Sequence, residues 1–430
     1  MTVSVNAKRS RARRMGRVLA ATLVTASLAL SGCTSDKVET LDTPALAEGN
    51  LPAELVASME SVVNTAIAGS GASGAIVGVW VPWSGSWVAG VGTTELGGSK
   101  PMDPDMTFRI GEITRAMTCD ALYGMVADGT VELNDPVTDY VSGVPNLSDV
   151  TLDQLCDSTS GLTTIAPATK SRMVSSPERE WSARELASFG LGRGVVAAPG
   201  ERFVNSDTGY LLLGLALERA SGLTPQKYLE KYVTLPLGLE NTSLPGDAAA
   251  APSKGGPHGY LTSNGPEGWL CASPTDLTKI SATTGSTDSG VVSTITDLGQ
   301  YGLALAEQTL AQGKETGRYD APLAIADSLP AWSTTIGGVQ FSDSMVGYAG
   351  STLGYASAVW SDPATGVTVA VMVNNSTNGA GIVRSLAFQL VALAATAPAA
   401  GNQTVPEFGI PWTAEAEAAT IQTSAICPIP

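Results

Sequence analysis

The chain has 430 residues, of which 24 are basic and 40 are acidic, and its formal net charge is −16. At 43% hydrophobic and 15% charged residues, it can bury a sizeable core and is not a disordered chain. A single histidine and the absence of Cys-x-x-Cys argue against a zinc or iron centre, and the acidic balance argues against nucleic acid as a partner. We therefore expect no metal, no cofactor and no nucleic-acid partner.

The N-terminus has the pattern of an export signal. Its first seventeen positions carry six basic residues and no acidic residue, and a mostly apolar run from Val18 to Leu30 follows. This run is too short to span a hydrocarbon core of about 30 Å, so it predicts a signal-peptide core and not a membrane helix. The sequence Leu30-Ser31-Gly32-Cys33 resembles the lipobox of bacterial lipoproteins. We predict that residues 1–32 are a lipoprotein signal peptide and that a lipid on Cys33 anchors the protein outside the cytoplasm, on the bacterial cell membrane. The alternative is an ordinary signal peptide followed by a coincidental cysteine.

After the predicted signal, the chain divides into three parts. Residues 33–50 are polar and predict a flexible tether, residues 51–395 a folded domain, and residues 396–430 a proline-rich tail. Within the domain, helical spacing runs from Leu51 to Ile67, and two strand-like segments, 75–81 and 86–91, follow as a hairpin. Residues 108–303 alternate helical patterns with loops. Further strands are predicted at 339–341, 356–360 and 367–373, and a helix at 381–396. Strands at both ends predict one sheet built from both termini, flanked by helices and with a helical insertion.

Several segments along residues 51–395 carry a resemblance to a known family. They are Thr107-Phe108-Arg109-Ile110-Gly111, Leu155–Leu162, Pro199–Phe203, Gly209–Gly214, Val292–Thr294 and Gly347–Trp360. Together they resemble the β-lactamase-related serine hydrolases, which include class C β-lactamases, D-alanyl-D-alanine carboxypeptidases and esterases. The resemblance implies the penicillin-recognising serine hydrolase fold, a mixed α/β (α+β) architecture in which an antiparallel sheet is flanked by helices and joined to a helical lobe.

The family's catalytic motifs are replaced at all three matching positions. Where Ser-x-x-Lys supplies the nucleophile and its base, this chain has Glu112-Ile113-Thr114-Arg115. Where Tyr-x-Asn stands, it has Asn205-Ser206-Asp207, and where His- or Lys-Thr-Gly stands on an edge strand, it has Tyr348-Ala349-Gly350. No serine lies three positions before any lysine, and no Gly-x-Ser-x-Gly occurs elsewhere. We therefore assign no catalytic residue and treat Glu112, Arg115, Asn205, Asp207, Tyr348 and Gly350 as degenerate active-site positions.

These replacements leave three interpretations open. Glu112 and Arg115 stand three residues apart and can form an ion pair that simply fills the old pocket. Alternatively, the altered pocket binds a cell-wall ligand, such as a peptidoglycan peptide, or an envelope protein. In the third, a residual hydrolase of carboxypeptidase, esterase or β-lactamase type uses Glu112 or Asp207 as a general base toward water. We favour a catalytically degenerate envelope lipoprotein that acts by binding.

Four cysteines remain once Cys33 is set aside, an even number that can form disulfides outside the cytoplasm. Spacing alone allows three connectivities, or four buried thiols. The family resemblance places Cys156 just before a loop that faces the helix carrying Cys119. It therefore implies the pair Cys119–Cys156 and leaves Cys271 to pair with Cys427.

Overall fold

The computed structural model describes residues 44–144, 147–165, 167–246, 251–310 and 317–430. The predicted signal peptide, Cys33 and the first part of the predicted tether lie outside these residues. The described residues all belong to one compact unit. Within the described residues, no helix is both long enough and apolar enough to cross a bilayer.

The elements have the following bounds. The strands are β1 (Gly74–Val81), β2 (Gly85–Gly92), β3 (Phe108–Arg109), β4 (Tyr260–Leu261), β5 (Asn264–Gly265), β6 (Gly268–Trp269), β7 (Thr275–Asp276), β8 (Val292–Ser293), β9 (Leu323–Ala324), β10 (Ser333–Ile336), β11 (Val339–Ser342), β12 (Met345–Thr352), β13 (Tyr355–Ser361) and β14 (Thr368–Val373). The helices are α1 (Ala53–Ser70), α2 (Thr114–Ala127), α3 (Val137–Tyr140), α4 (Leu152–Cys156), α5 (Pro167–Ser175), α6 (Ala183–Leu191), α7 (Asp207–Ser221), α8 (Pro225–Leu229), α9 (Ser286–Ser289), α10 (Ile295–Glu307), α11 (Gly381–Ala394) and α12 (Ala414–Ser424).

One eight-stranded sheet, in the order β2-β1-β14-β13-β12-β11-β10-β9, organises the molecule. Its strand pairs are antiparallel, and β1 from the start of the domain pairs with β14 from its end. Successive side chains of a strand point to opposite faces of a sheet. Accordingly, Val369 and Val371 lie in the core shared with α1 and α11, whereas Ala370 and Met372 lie in the core shared with α2 and α10. The central strands are therefore buried on both faces, which explains their nearly unbroken apolar sequences.

A helical lobe, which includes α2 to α9, lies between β3 and β8 in the chain. Its buried residues, such as Leu155, Leu186 and Leu213, belong to the same core cluster as Met372 of the sheet. The predicted fold class, an antiparallel sheet flanked by helices plus a helical lobe, is confirmed. The predicted strands at 75–81, 86–91, 339–341, 356–360 and 367–373 correspond to β1, β2, β11, β13 and β14.

The structure corrects both ends of the predicted domain. The last residues of the predicted tether are bound to the β1–β2 hairpin: Ala47 N donates to Pro82 O at 2.8 Å, and Ser86 N donates to Gly49 O at 3.1 Å. Backbone hydrogen bonds make this attachment, so no apolar spacing signals it. The predicted tail is also part of the fold, since it contains α12 and buries Trp412 and Ile421 in the core that α1 and α11 share with the sheet. A third correction concerns β12, which lies between β13 and β11 and is not an edge strand.

Candidate functional site

The start of α2 carries the first pair of degenerate positions. A 3₁₀ turn, Gly111–Ile113, follows β3 and leads directly into α2, so that Glu112 and Arg115 lie on consecutive turns. The turn packs backbone to backbone against β12. A Cβ on Gly111 would lie 2.7 Å from the carbonyl carbon of Ser351, and one on Gly350 would lie 2.7 Å from Glu112 Cβ. Glycine at both positions therefore allows the turn before α2 to approach strand β12 closely.

Arg115 is the centre of the site. Its side chain is 2% exposed, and its Nε donates to Asp288 Oδ1 at 2.7 Å. Its Nη1 donates to Asn205 Oδ1 at 2.7 Å and to Tyr348 Oη at 3.1 Å, while Nη2 lies 3.5 Å from Glu112 Oε1. Burial opposes the charge, but the surrounding carboxylates and tyrosine outweigh it, and the pKa of Arg115 is raised well above its usual value. Arg115 is therefore a fixed cation and cannot accept a proton.

The face of the Arg115 guanidinium is covered as well. Its Cζ lies 4.9 Å from the centre of the Tyr210 ring on α7, within the range of a cation–π contact. Burial raises the pKa of the Tyr348 phenol, and Tyr348 accepts a hydrogen bond from Arg115. The phenol is thus a neutral partner of the cation at ordinary pH.

Glu112 stands at the position that the family resemblance predicts for the nucleophile. Its side chain is 24% exposed, and its Oε2 accepts a hydrogen bond from the backbone N–H of Ser351 at 2.9 Å. Burial raises the pKa of Glu112, and Asp288 adds to this effect, while Arg115 and the Ser351 N–H oppose it. The carboxylate therefore bridges the start of α2 and strand β12.

Asn205 and Asp207 lie at the start of α7. The side chain of Ser206 caps this helix by accepting a hydrogen bond from Gly209 N. This cap fixes the backbone that carries Asn205 and Asp207, the residues on either side of Ser206. Asn205 bonds to Arg115, whereas Asp207 Oδ1 accepts from Ile165 N at 2.7 Å. Burial and the nearby Asp288 carboxylate raise the pKa of Asp207 to about 6.

One cavity of about 330 Å³ lies beside this group, and Arg115, Asn205 and Tyr348 are not among the residues that line it. Glu112, Asp207 and Asp288 are its acidic residues, and Lys170, exposed on α5, is its basic one. The remaining polar lining comes from the hydroxyl residues Thr164, Thr284, Ser289, Ser351, Thr352 and Ser376.

Of the six degenerate positions, the structure brings Glu112, Arg115, Asn205 and Tyr348 into one hydrogen-bonded group. Asp207 lines the same cavity without contacting Arg115, and Gly350 contributes only its backbone. Asp288, which no sequence motif marks, is the closest charged partner of Arg115. It lies 173 positions away, in the short helix α9, so neither spacing nor amphipathic pattern could identify it.

Two disulfides join segments that are distant in the chain. Cys119 on α2 pairs with Cys156 at the end of α4, with Cα atoms 5.6 Å apart. Cys271 pairs with Cys427, with Cα atoms 5.9 Å apart. Both pairs are those that the family resemblance implies. The first one connects the helix of Arg115 to the segment that leads toward Ser158–Gly161.

Comparison with known proteins gives the family. The sequence model of the beta-lactamase family matches residues 59–392. The chain is 33% identical over 159 residues to D-alanyl-D-alanine-carboxypeptidase/endopeptidase AmpH of Escherichia coli K12, covering 35% of this chain and 40% of that protein. It is 23% identical over 155 residues to penicillin-binding protein 4* of Bacillus subtilis 168, covering 35% of this chain and 33% of that protein. The alignments thus span less than half the length of either relative.

Solved structures show the same fold. A D-stereospecific amidohydrolase from Streptomyces sp. superposes with a TM-score of 0.66 at 22% identity, covering 77% of this chain and 98% of that one. A penicillin-binding protein homologue from Pyrococcus abyssi gives a TM-score of 0.64 at 23% identity, covering 79% of this chain and 77% of that one. A D-amino acid amidase from Ochrobactrum anthropi SV3 gives 0.64 at 20% identity, covering 80% and 97%. With the family match extending over residues 59–392, these likenesses lead to one conclusion: the chain belongs to the beta-lactamase family.

Proposed function

We propose that this protein is a bacterial envelope lipoprotein whose β-lactamase-like cleft binds a cell-wall peptide or a protein partner and does not form an acyl-enzyme. The observation that supports this most directly is the position of Arg115, whose buried guanidinium is bonded to Asn205, Tyr348 and Asp288 where the family places a lysine base. A cation with these partners cannot take a proton from a nucleophile.

The position of the nucleophile supports the same proposal. Loss of a catalytic serine lowers turnover by on the order of 10⁶, and loss of its base adds little because the two act together. Glu112 replaces that serine, and its carboxylate accepts the hydrogen bond of the Ser351 N–H. A backbone N–H that is occupied by a carboxylate is not available to stabilise the developing charge on an acyl oxygen.

The nature of the relatives suggests the ligand. The E. coli relative is a D-alanyl-D-alanine carboxypeptidase/endopeptidase, and a D-amino acid amidase has the same fold. We propose that the cleft here retains affinity for a peptide of this D-alanyl class, or for an envelope protein. The lipid on Cys33 would hold the domain at the membrane, close to the cell wall.

Covalent labelling tests the proposal. We expect neither a fluorescent penicillin nor a fluorophosphonate to label the purified protein, while an active relative is labelled in parallel. The double variant Glu112→Ser/Arg115→Lys restores Ser-x-x-Lys and should label weakly at most. Adding Asn205→Tyr, Asp207→Asn and Tyr348→His should improve that labelling. The single variants Glu112→Ser and Arg115→Lys serve as matched controls and should remain unlabelled. Labelling of the unmodified protein at a residue of the cleft would overturn the proposal.

A second candidate function is a residual hydrolase. It is favoured by the raised pKa values of Glu112 and Asp207, because a carboxyl group with a raised pKa is better matched to proton transfer with water. Release of D-alanine from a D-alanyl-D-alanine peptide by the unmodified protein, with loss of the reaction in Glu112→Gln or Asp207→Asn, would favour this function over binding alone.

A further inference from the structure

The predicted tether joins the domain at the turn between β1 and β2. Ala47 N donates to Pro82 O of this turn at 2.8 Å, directly after the exposed Leu46. Cys33 stands 13 positions before Leu46, and a chain of that length spans at most about 45 Å. A lipid on Cys33 would therefore keep the β1–β2 turn, and not a distant part of the fold, close to the membrane.

Residues near the C-terminus return to the same turn. Trp83, in the middle of the turn, is buried; its Nε1 donates to Ala397 O, and its backbone O accepts from Ala400 N, both at 2.8 Å. The Trp83 ring also contacts Phe408 edge to face, with the ring centroids 6.4 Å apart. The segment between Ala400 and Phe408, which contains Val405, therefore lies beside the turn.

This end of the molecule leaves apolar side chains in the solvent. Leu46 is 42% exposed and Val405 is 46% exposed. Within three residues on either side of each of them, the chain has two acidic side chains, Glu48 and Glu407, and no basic one. Such a surface suits a zwitterionic phospholipid surface, because the apolar side chains leave water there and the carboxylates are not repelled by an anionic head group.

The cleft lies at the opposite end of the sheet. Ser351, which lines the cavity, pairs with Ala356 of β13. Ala356 and Ala75 both pair with Val373 of β14, so these four residues form one row across the sheet. Pro82 follows Ala75 by seven positions along β1, a distance of about 23 Å at the usual rise of a strand. The β1–β2 turn and the cavity are thus separated by nearly the whole length of β1.

We propose that the β1–β2 end of the domain contacts a zwitterionic phospholipid surface through Leu46 and Val405, and that the cleft therefore opens away from the membrane. This inference rests on the lipid that the proposed function places on Cys33, and it adds the surface by which the domain meets the bilayer. The lipid supplies the attachment, while burial of the two apolar side chains in the interface selects one orientation of the attached domain.

A second pair of exposed apolar side chains defines the competing orientation. Trp269 and Leu270, on and directly after β6, are also exposed. Their hairpin follows β4, in which Tyr260 N donates to Asn374 O at 3.0 Å, one residue beyond Val373. The hairpin therefore extends from the cleft end of the sheet. With this pair in the membrane, the cleft would face the lipid and the turn that receives the tether would point away from its anchor.

Fluorescence quenching by lipid distinguishes the two orientations. Thr404→Cys and Glu267→Cys each place one free thiol at an exposed position, the first near the β1–β2 turn and the second on the β5–β6 hairpin. The full chain, purified from membranes and labelled there with the fluorophore NBD, is reconstituted into phosphatidylcholine vesicles with and without brominated acyl chains. We expect NBD at position 404 to emit at shorter wavelength and to lose intensity with brominated lipid. NBD at position 267 should do neither.

Substitutions in the labelled Thr404→Cys protein assign the contact to the apolar pair. Leu46→Ser/Val405→Ser should abolish the quenching at position 404, while the lipid keeps the protein on the vesicles. Leu235→Ser is the matched control, because Leu235 is as exposed as Val405, at 46%, but belongs to the helical lobe; it should change nothing. Replacing phosphatidylcholine with phosphatidylglycerol should lower the quenching at position 404, since the nearby carboxylates are then repelled.

Four results would overturn the inference. They are quenching at position 267 as strong as at position 404, no quenching at either position, unchanged quenching in Leu46→Ser/Val405→Ser, and stronger quenching in phosphatidylglycerol. Mass spectrometry of the N-terminal peptide shows separately whether Cys33 carries a lipid. A missing lipid would overturn the anchor of the proposed function together with this inference, whereas the four results with the lipid present overturn this inference alone.

Discussion

A buried guanidinium is stable only when its donors and its charge are satisfied, and Arg115 obtains its partners from four separate parts of the chain. Glu112 comes from the preceding turn, Asn205 from the start of α7, Asp288 from α9 and Tyr348 from β12. Removing one partner of such a buried pair costs about 3–5 kcal/mol, because the other charge is left uncompensated. The network therefore holds the walls of the cleft in one arrangement.

Asp207 gives a prediction on pH dependence. Its pKa is about 6 in the folded protein and about 3.9 in an unfolded chain, so the folded state binds the proton more tightly. The stability that this group contributes is present below about pH 4 and is lost as the pH rises through 6. Asp207→Asn keeps an acceptor for Ile165 N and removes the charge. We expect the variant to exceed the wild type in free energy of unfolding by up to about 3 kcal/mol at pH 7, and the difference to shrink toward pH 4.

Urea unfolding at several pH values measures this difference. Asp327→Asn, at an exposed position outside the cleft, is the control and should show no pH-dependent difference from the wild type. An Asp207→Asn difference that stays constant between pH 4 and pH 7 contradicts the assignment.

For single residues, the sequence predicts the contact of Arg115 with the nearby Glu112 but not its contact with the distant Asp288. The spacing of Glu112 and Arg115 predicts their ion pair, which the structure contains as the longer of the two pairs, at 3.5 Å. The shorter pair, with Asp288 at 2.7 Å, joins residues that only the tertiary fold brings together. A single sequence carries no signal for such a partner.

At the scale of elements, the C-terminal helix α12 owes its position to a covalent bond as well as to packing. The bridge Cys271–Cys427 lies directly after it, and Cys427 N donates to Gly69 O at the end of α1. Gly71, in the left-handed conformation at φ 67°, ends α1; a Cβ there would lie 2.6 Å from Cys427 Sγ. The disulfide thus fits into a space that only glycine leaves open.

Removal of this bridge should loosen α12. The bridge closes a loop with a sequence separation of 156, so Cys271→Ala/Cys427→Ala should lower the free energy of unfolding by about 3–5 kcal/mol. Limited proteolysis of the double variant should cut first between α11 and α12, a segment that stays protected in the wild type. Equal digestion of both proteins would argue that packing of Trp412 and Ile421 alone holds the helix.

Helices and strands with a clear hydrophobic pattern can be predicted from this sequence, and those without such a pattern cannot. Strand β14 is apolar from Val369 to Val373 because both of its faces are buried. Strand β12, which carries Tyr348, contains two glycines and ends in Ser351 and Thr352, so neither alternation nor an apolar run marks it. Helix α12 is rich in Ala, Glu and Thr and buries mainly Ile421, so it lacks an apolar stripe.

At the scale of the whole molecule, the membrane attachment is a prediction. The protein has a formal net charge of −16, with six of its basic residues in the first seventeen positions, so the rest of the chain is strongly acidic and has little attraction for anionic lipid head groups. Cys33→Ala should therefore abolish membrane attachment and either release the protein into the medium or leave its precursor unprocessed. Cell fractionation followed by immunoblotting measures this, with Ser31→Ala as a control that keeps the cysteine. Unchanged membrane retention of Cys33→Ala would refute the lipid anchor.

The pairing of β1 with β14 has a consequence for the order of folding. Ala75 pairs with Val373, so about 300 residues separate two adjacent strands of the sheet. Contacts this distant in sequence form late, since closing so long a loop costs entropy before the contact is made. While the chain is being synthesised, the β1–β2 hairpin has no neighbour on its inner side until β14 has emerged. A chain that stops before Thr368 leaves that edge unpaired, and an unpaired apolar edge invites aggregation. The last quarter of the sequence thus completes the sheet that the first quarter begins.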